Sequence, residues 1–426
     1  MLIDANLSVN LPQVTCPSTR RAIAASLHRR FIGKRGIVNL VVTLLLAPFA
    51  ILTLVFAIEL FVGLPPLKVE LGPARRTSNA VIIVPAHDEA AGLRQRLAAL
   101  KEAASPARVL IVADNCRDTT AEIARELGVD VIERTDPARR GKGYALDFAK
   151  QHLSSDPPEV VIVIDADCSI DAASIQLLIA QCSEILAPCQ ATNLQRPQAT
   201  ASPAVQMSTF AFFVKNVIRQ RALKRLAGRV QLLGTGMAMP WVLFNRANLA
   251  TSSIVEDIRL GNELAEAGHA PTLVEGATVW SEAESTANTL AQRQRWEGGF
   301  MNEAMREGPL RLVRSIRHGD LRSSWAAVSI MVPPFALLVL ADIAVLVIAT
   351  VAIWAVGASP AVLLLLAVPL SFAGMGLILA WLAGGSRFIS LSALSRAPIY
   401  LAWKLPMYLG FVRRGVPKDW LRTDRS

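Results

Sequence analysis

An α/β domain built on a largely parallel sheet, followed and preceded by membrane helices, is the architecture that this sequence predicts. Three observations lead there. Short β-rich runs alternate with helical patterns from Asn79 onward. Long apolar runs flank that region on both sides. Only 18% of the 426 residues are charged while 52% are hydrophobic, against about 25% charged in an ordinary soluble protein.

The strands come first. Val81-Ile82-Ile83-Val84, Arg108-Val109-Leu110-Ile111-Val112 and Val160-Val161-Ile162-Val163-Ile164 are continuous aliphatic runs rather than alternating ones. Such runs are buried on both faces, as strands of a parallel sheet covered by helices are. Helical patterns at Ala91–Ala103 and Thr119–Leu127 supply the cover. In sheets of this kind ligands bind beyond the carboxyl ends of the strands.

The flanking runs divide the rest of the chain. Residues 1–36 read as a basic, mobile tail, and 37–64 as one membrane span, since about 20 apolar residues cross the hydrocarbon core. That run begins too far in, and lacks the small-residue cleavage site, for a signal peptide. The α/β domain occupies 78–305, and 306–330 reads as an interfacial amphipathic segment. Spans at 331–356 and 360–382 form a hairpin closed by Gly357-Ala358-Ser359. Residues 389–411, with Arg396, Pro398, Lys404 and Pro406 among apolar neighbours, are expected to lie in the interface. A basic cytosolic tail, 412–426, closes the chain.

The net charge of +10 gathers beside the apolar runs. Arg20, Arg21, Arg29, Arg30, Lys34 and Arg35 precede the first, Arg311, Arg314, Arg317 and Arg322 the second, and Lys418, Arg422 and Arg425 follow the last. This pattern meets anionic lipid headgroups. With no RNA-binding signature and no Cys/His finger spacing, nucleic acid is not expected as a partner. The five cysteines are odd in number and form no Cys-x-x-Cys pair, so they read as reduced thiols. There is no Gly-x-x-x-x-Gly-Lys-Ser/Thr loop, and no Gly-x-Gly-x-x-Gly after a strand. P-loop ATPases and nicotinamide dehydrogenases are thereby disfavoured.

Chemistry-bearing residues sit at the strand ends. Pro85-Ala86-His87-Asp88-Glu89 follows the first run, Asp114-Asn115-Cys116-Arg117-Asp118 the second, and Asp165-Ala166-Asp167 the third. Mg²⁺ and Mn²⁺ take oxygen ligands, commonly one or two carboxylates plus substrate phosphates. Asp also favours turns, which is the plainer reading of the triplet taken alone. In Arg139-Arg140-Gly141-Lys142-Gly143 the glycines allow close backbone approach and Lys142 can meet a phosphate. Glu256-Asp257 opens an amphipathic helix with Ile258, Leu260 and Leu264 on its buried face; acidic residues there also suit the helix dipole. Gln292, Arg295 and Trp296 fall on one side of a helix and could bond, pair with phosphate and stack on a sugar.

In this order the motifs resemble those of the inverting membrane glycosyltransferases of family 2, the cellulose, hyaluronan and chitooligosaccharide synthases. The resemblance covers about 80–300 and the flanking helices. It implies a GT-A type nucleotide-diphospho-sugar transferase domain, with a Rossmann-like mixed sheet, and a Mg²⁺ or Mn²⁺ cofactor. It further implies a UDP-sugar donor and a growing polysaccharide or oligosaccharide as acceptor. By the same likeness Asp114 contacts the uracil end, Asp165 and Asp167 form the donor-binding Asp-x-Asp with Asp167 on the metal, and Asp257 is the general base. Arg295 holds the diphosphate and Trp296 floors the acceptor site. Pro85, Glu89, Lys142, Glu256 and Gln292 complete the substrate-binding set.

Two departures stand out. Asp88-Glu89 replaces the family's Asn-Glu, and Gly234-Thr235-Gly236-Met237-Ala238-Met239 lacks the polar continuation of an acceptor motif. Transfer of a single sugar to a lipid or lipid-linked acceptor is therefore the alternative, and an inactive nucleotide-binding scaffold the alternative of another class. A cytoplasmic domain on a bacterial inner membrane follows from the donor. The basic residues ahead of 37–64 point the other way, so that run is expected to insert N-out or as a re-entrant loop. The oligomeric state has no sequence signal.

Overall fold

The computed structural model describes residues 17–67, 79–198, 200–251, 253, 255–282 and 286–415; within these, side chains 17–34, 286–292, 295 and 412 lie outside the description. Eight strands form one mixed sheet: β1 Ala80–Ala86, β2 Arg108–Asp114, β3 Asp130–Arg134, β4 Val160–Val163, β5 Cys168–Ile170, β6 Cys189–Gln195, β7 Met237–Pro240 and β8 Thr272–Ser281. Their order is β3-β2-β1-β4-β7-β6-β8-β5.

The aliphatic runs form the parallel half. β1 pairs with β2 (Ile83 opposite Leu110) and with β4 (Ile82 opposite Ile162). Side-chain alternation sends Ile82, Val84 and Ile162 to a core on one face, with Leu93 and Leu97 of helix Ala90–Ala104. Val81, Ile83, Val161 and Val163 go to the other, with Leu146 of helix Lys142–Leu153 and Phe244. Each aliphatic run is thus covered on both sides.

The largely parallel sheet of the sequence reading needs correction beyond β4. There β7 pairs antiparallel to β4 and β6, and β5 antiparallel to β8. The missed strands lack an aliphatic signal. β6 reads Cys-Gln-Ala-Thr-Asn-Leu-Gln yet is buried throughout, with the Gln190 side chain donating to the Thr235 carbonyl and the Thr192 hydroxyl to that of Glu275. The carboxylate-ending strands are consequently β2, β1 and β4, neighbours in space though β3 intervenes in the chain.

Among the described residues, three helices are long and apolar enough to cross a membrane: Arg35–Gly63, Phe335–Val356 and Pro360–Leu382. The first belongs to a longer helix, Pro17–Gly63, so helix already occupies the second half of the expected tail. The hairpin turns at Gly357, whose φ of 63° is the left-handed conformation of a helix C-terminus. Both hairpin helices pack on the first: Val345, Ala349 and Leu366 join Val42 and Leu46 in one core. A Cβ at Gly376 would stand 2.8 Å from that of Leu60, so glycine permits this contact.

Helix Thr286–Arg317 runs across the expected boundary at 305, and Leu321–Met331 follows it. Helix Ala397–Arg414 docks on the former through a buried ion pair, Lys404 with Glu297, and a 2.7 Å bond from the Tyr408 hydroxyl to the same carboxylate. Residues 1–16 and 416–426 lie outside the described residues, as does most of the tail expected at 412–426.

Candidate active site

The ends of β1, β2 and β4 open into a cavity of about 380 Å³. Of the sequence-predicted residues, Pro85, Glu89, Asp114, Lys142, Asp165, Asp167, Glu256, Asp257 and Trp296 all line it. The side chains of Gln292 and Arg295 lie outside the described residues.

The β1 and β2 ends are tied together by their own polar groups. Asp88 and Asn115 adopt positive φ, 52° and 55°, a conformation that Asp and Asn tolerate best among non-glycine residues. Asp88 accepts a 2.6 Å bond from the Arg117 amide, and Asn115 accepts one of 2.8 Å from that of Asp136. The Asp-for-Asn exchange at position 88 therefore suits the backbone that position requires. Asp118 accepts bonds from the amides of Ala90 and Thr120, which makes it a loop tie. Asp114 is 6% exposed and held by Arg134 at 2.6 Å, while the Asn115 amide bonds the same oxygen.

The second group gathers at the β4 end. Lys142, the first residue of its helix, pairs with Asp165 and donates to the Gly234 carbonyl at 2.6 Å. The Asp165 amide donates to Thr235 Oγ1 at 3.1 Å. Gly234 has φ +81°, and a Cβ there would lie 3.3 Å from Asp257 Oδ2 and 3.5 Å from Lys142 Nζ. Residues far apart in sequence thus meet around one glycine. Asp257 and Glu256 begin helix Glu256–Glu266, and the Ile258 amide donates to Asp257 at 2.8 Å.

Burial, then the charge of Asp257, pushes the Glu256 carboxyl up to about 7. Burial also raises Asp257, against the opposing pull of the Ile258 amide and Lys142. For Lys142 burial acts downward, but Asp165, Glu256 and Asp257 together outweigh it, so the ammonium is held above its ordinary range.

Sequence reasoning missed Arg293, Glu297 and Lys215, which also line the cavity. Arg293 donates to Ser208 Oγ at 2.7 Å and lies over the rings of Phe212 and Trp296. A signal existed: 293, 296, 297 and 300 share a helical face as well as 292, 295 and 296 do. Lys215 stands on a π-helical turn, Val214–Ile218, with no sequence signature.

Residues 78–299, just over half of the chain, match the family described as glycosyltransferase like family 2. The chain belongs to that family. Among solved structures it is similar to the mannosyltransferase PcManGT from Pyrobaculum calidifontis in complex with GDP-Man and Mn²⁺. Identity is 17%, TM-score 0.53, with 81% of this chain and 98% of that one covered. Also similar is glucosyl-3-phosphoglycerate synthase from Mycobacterium tuberculosis in complex with Mn²⁺, UDP and phosphoglyceric acid (16%, 0.35, 55% and 81%). No curated protein matches the chain by sequence. The glycosyltransferase domain has the GT-A type fold, with its mixed sheet and flanking apolar helices.

The donor set of this glycosyltransferase fits a hard divalent cation. Ligand atoms of Asp165, Asp167 and Cys168 lie within 4.8 Å of one another. Burial holds the Cys168 thiol well above its usual range, so it stays protonated and the two carboxylates are the ligands on offer.

Proposed function

We propose that this glycosyltransferase moves a sugar from a UDP-sugar to an acceptor hydroxyl by a single inverting displacement at the cytoplasmic face of a membrane. The convergence of Asp257 and Lys142 on Gly234, beside Asp165 and in the cavity that Asp167 shares, carries this reading. It supplies a base, a phosphate-binding cation and a cation-binding pair of carboxylates within one cavity.

Asp167, with Asp165 beside it, would hold Mg²⁺ or Mn²⁺, which as a Lewis acid eases departure of the diphosphate. Asp114, oriented by Arg134, faces the uracil end, and Pro85 and Glu89 line the same part of the wall. Lys142 meets diphosphate oxygens as a charge-assisted donor. Asp257 takes the proton of the attacking hydroxyl as its oxygen bonds the anomeric carbon and UDP leaves with the electron pair of the broken bond. A carboxylate raised toward neutral pH is better matched to that task. Glu256 keeps negative potential beside Lys142. Trp296, held by Arg293 and Phe212, offers a ring face to a sugar. Roles for Gln292 and Arg295, at the bridging and diphosphate positions, rest on the family likeness.

Three helices with spanning length and the basic flanks support an integral membrane protein of the bacterial inner membrane. The cytosolic origin of nucleotide sugars places the domain inside. Reporter fusions at Arg30 and Thr200 test that orientation.

Purified protein incubated with a panel of UDP-sugars and Mn²⁺ should release UDP with at least one of them. Asp257→Asn should cut turnover by about 10²–10⁴-fold, the general-base contribution, while calorimetry shows UDP still bound. Parallel loss of both would remove Asp257 from the base role.

A further inference from the structure

The cavity extends past the carboxylates to the membrane helices. Phe56 of the first span and Phe335 of the second stack with ring centroids 5.7 Å apart, and both line it together with Val332 and Pro334. Such a wall suits a hydrocarbon chain, since it offers apolar surface next to the membrane-length helices.

Lys215 links that wall to the catalytic group. Asp257 is the carboxylate that acts most strongly on its charge. One turn further on is Arg219, whose guanidinium lies 5.7 Å from the Phe56 ring centroid. The π-turn that carries Lys215 is inserted between helices Pro203–Phe213 and Arg219–Ala227. Single π-turns within α-helices are frequent at functional sites.

Of the other cations that line the cavity, Lys142 pairs with Asp165, Arg219 pairs with Glu59 and Arg293 donates to Ser208, while Arg140 is solvent-exposed. Among the described residues no carboxylate forms an ion pair with Lys215, whose ammonium sits 5.5 Å from the Phe300 ring centroid. Burial lowers its pKa to about 8, which still leaves it mostly charged at neutral pH. Lys215 is half-buried and faces the cavity, where an anionic ligand group would give its ammonium a charge-assisted partner.

We propose that the acceptor is a membrane lipid whose headgroup carries both a phosphate and a free hydroxyl. The phosphate lies on Lys215, the hydroxyl reaches Asp257, and the hydrocarbon chain runs beside Phe56 and Phe335. This rests on the transfer chemistry proposed above and names its acceptor. Sugar transfer to that hydroxyl forms the glycosidic bond, frees UDP and leaves the proton on Asp257.

The test uses the full chain in neutral detergent, with lipid binding followed by native mass spectrometry and UDP binding with Mn²⁺ by calorimetry. Four probes are titrated: phosphatidylglycerol, diacylglycerol (no phosphate), glycerol 3-phosphate (no chain) and cellotetraose (a glycan). Phosphatidylglycerol should bind at least about tenfold more tightly than each of the others, the scale of one charge-assisted contact. Lys215→Gln should lose about that factor for phosphatidylglycerol with UDP affinity unchanged, which also shows that the variant is folded. Lys215→Arg should retain lipid binding.

Equal binding of diacylglycerol would overturn the phosphate contact, and equal binding of glycerol 3-phosphate the lipid. Tighter binding of cellotetraose would return the acceptor to a glycan. Wild-type lipid affinity in Lys215→Gln would overturn the site. Lipid binding of the expected pattern without UDP binding would support the lipid site and refute the donor reading; UDP binding without lipid binding would do the reverse.

Discussion

Gly234→Ala is the sharpest probe of the catalytic group, because the structure separates its two effects. The first is backbone strain: φ is +81°, and a left-handed conformation costs a non-glycine residue about 1–2 kcal/mol. The second is crowding, since the new Cβ would stand 3.3 Å from Asp257 Oδ2 and 3.5 Å from Lys142 Nζ. At such a distance the carboxylate must yield by a few tenths of an ångström. Displacement by about 1 Å can cost 10²-fold in rate, so a shift of this size should lower kcat by about tenfold. Gly268→Ala provides the control. Its φ is +89° with nothing within 4 Å of the added Cβ, beyond the opposite end of helix Glu256–Glu266. Thermal unfolding and UDP release are measured on both variants. Both should lose about 1–2 kcal/mol of stability, but only Gly234→Ala should turn over slowly while folded. A Gly234→Ala enzyme destabilised like the control, yet as fast as wild type, would refute Asp257 and Lys142 as the reacting centre.

Other perturbations follow from the same geometry. Excess chelator should abolish UDP release, and Asp167→Asn should raise the Mn²⁺ concentration for half-maximal rate by at least about tenfold, the loss seen even for groups behind the metal ligands; a titration of rate against Mn²⁺ reads it. The folded pKa of Glu256, about 7, lies above its ordinary 4.5, so the folded chain holds a proton that the unfolded chain has released between those values. Stability from this group therefore falls as pH rises through that window. Glu256→Gln should unfold at a higher temperature than wild type at pH 8 and at the same temperature at pH 4, read by thermal melts. Arg219→Ala leaves Glu59, fully buried at the end of the first span, without its partner. The loss should be about 3–5 kcal/mol, and clearly smaller in the double variant Glu59→Gln/Arg219→Gln, measured by detergent-resistant unfolding.

The sequence was most legible where burial makes residues uniform. β1, β2 and β4 are aliphatic because both their faces are covered, and the acidic residues just past their ends could be read as a site. The helix opened by Glu256 was visible through Ile258, Leu260 and Leu264, all buried as its period requires. Legibility failed where polar residues are buried. Gln190, fully buried on β6, donates to the Thr235 carbonyl at 2.8 Å and accepts from the Leu233 amide at 2.8 Å. A glutamine that braces the Gly234 loop looks, in sequence, like any surface residue. Lys404 is likewise 2% exposed and paired with Glu297, a contact that its place among Arg396, Pro398 and Pro406 did not reveal. The left-handed turn at Gly234 and the π-turn at Lys215 are conformations without a periodicity, so neither has a pattern to read.

These buried polar contacts fix how the glycosyltransferase domain sits on the apolar helices that flank it. Arg219 ties the helix after the π-turn to Glu59 of the first span, and also donates to the Ser329 carbonyl at 3.0 Å. Lys404 ties the C-terminal helix to the residue after Trp296. Apolar packing alone would let the domain slide on its membrane helices, because dispersion contacts have little direction. A buried ion pair has one low-energy geometry, and breaking it strands a charge away from water. The two pairs therefore hold the cavity wall in register with Phe56 and Phe335. The carboxylates at the strand ends and the aromatic pair Phe56 and Phe335 can share one cavity only if that register is kept, which is a reason for the fold to bury charges that isolated packing would not require.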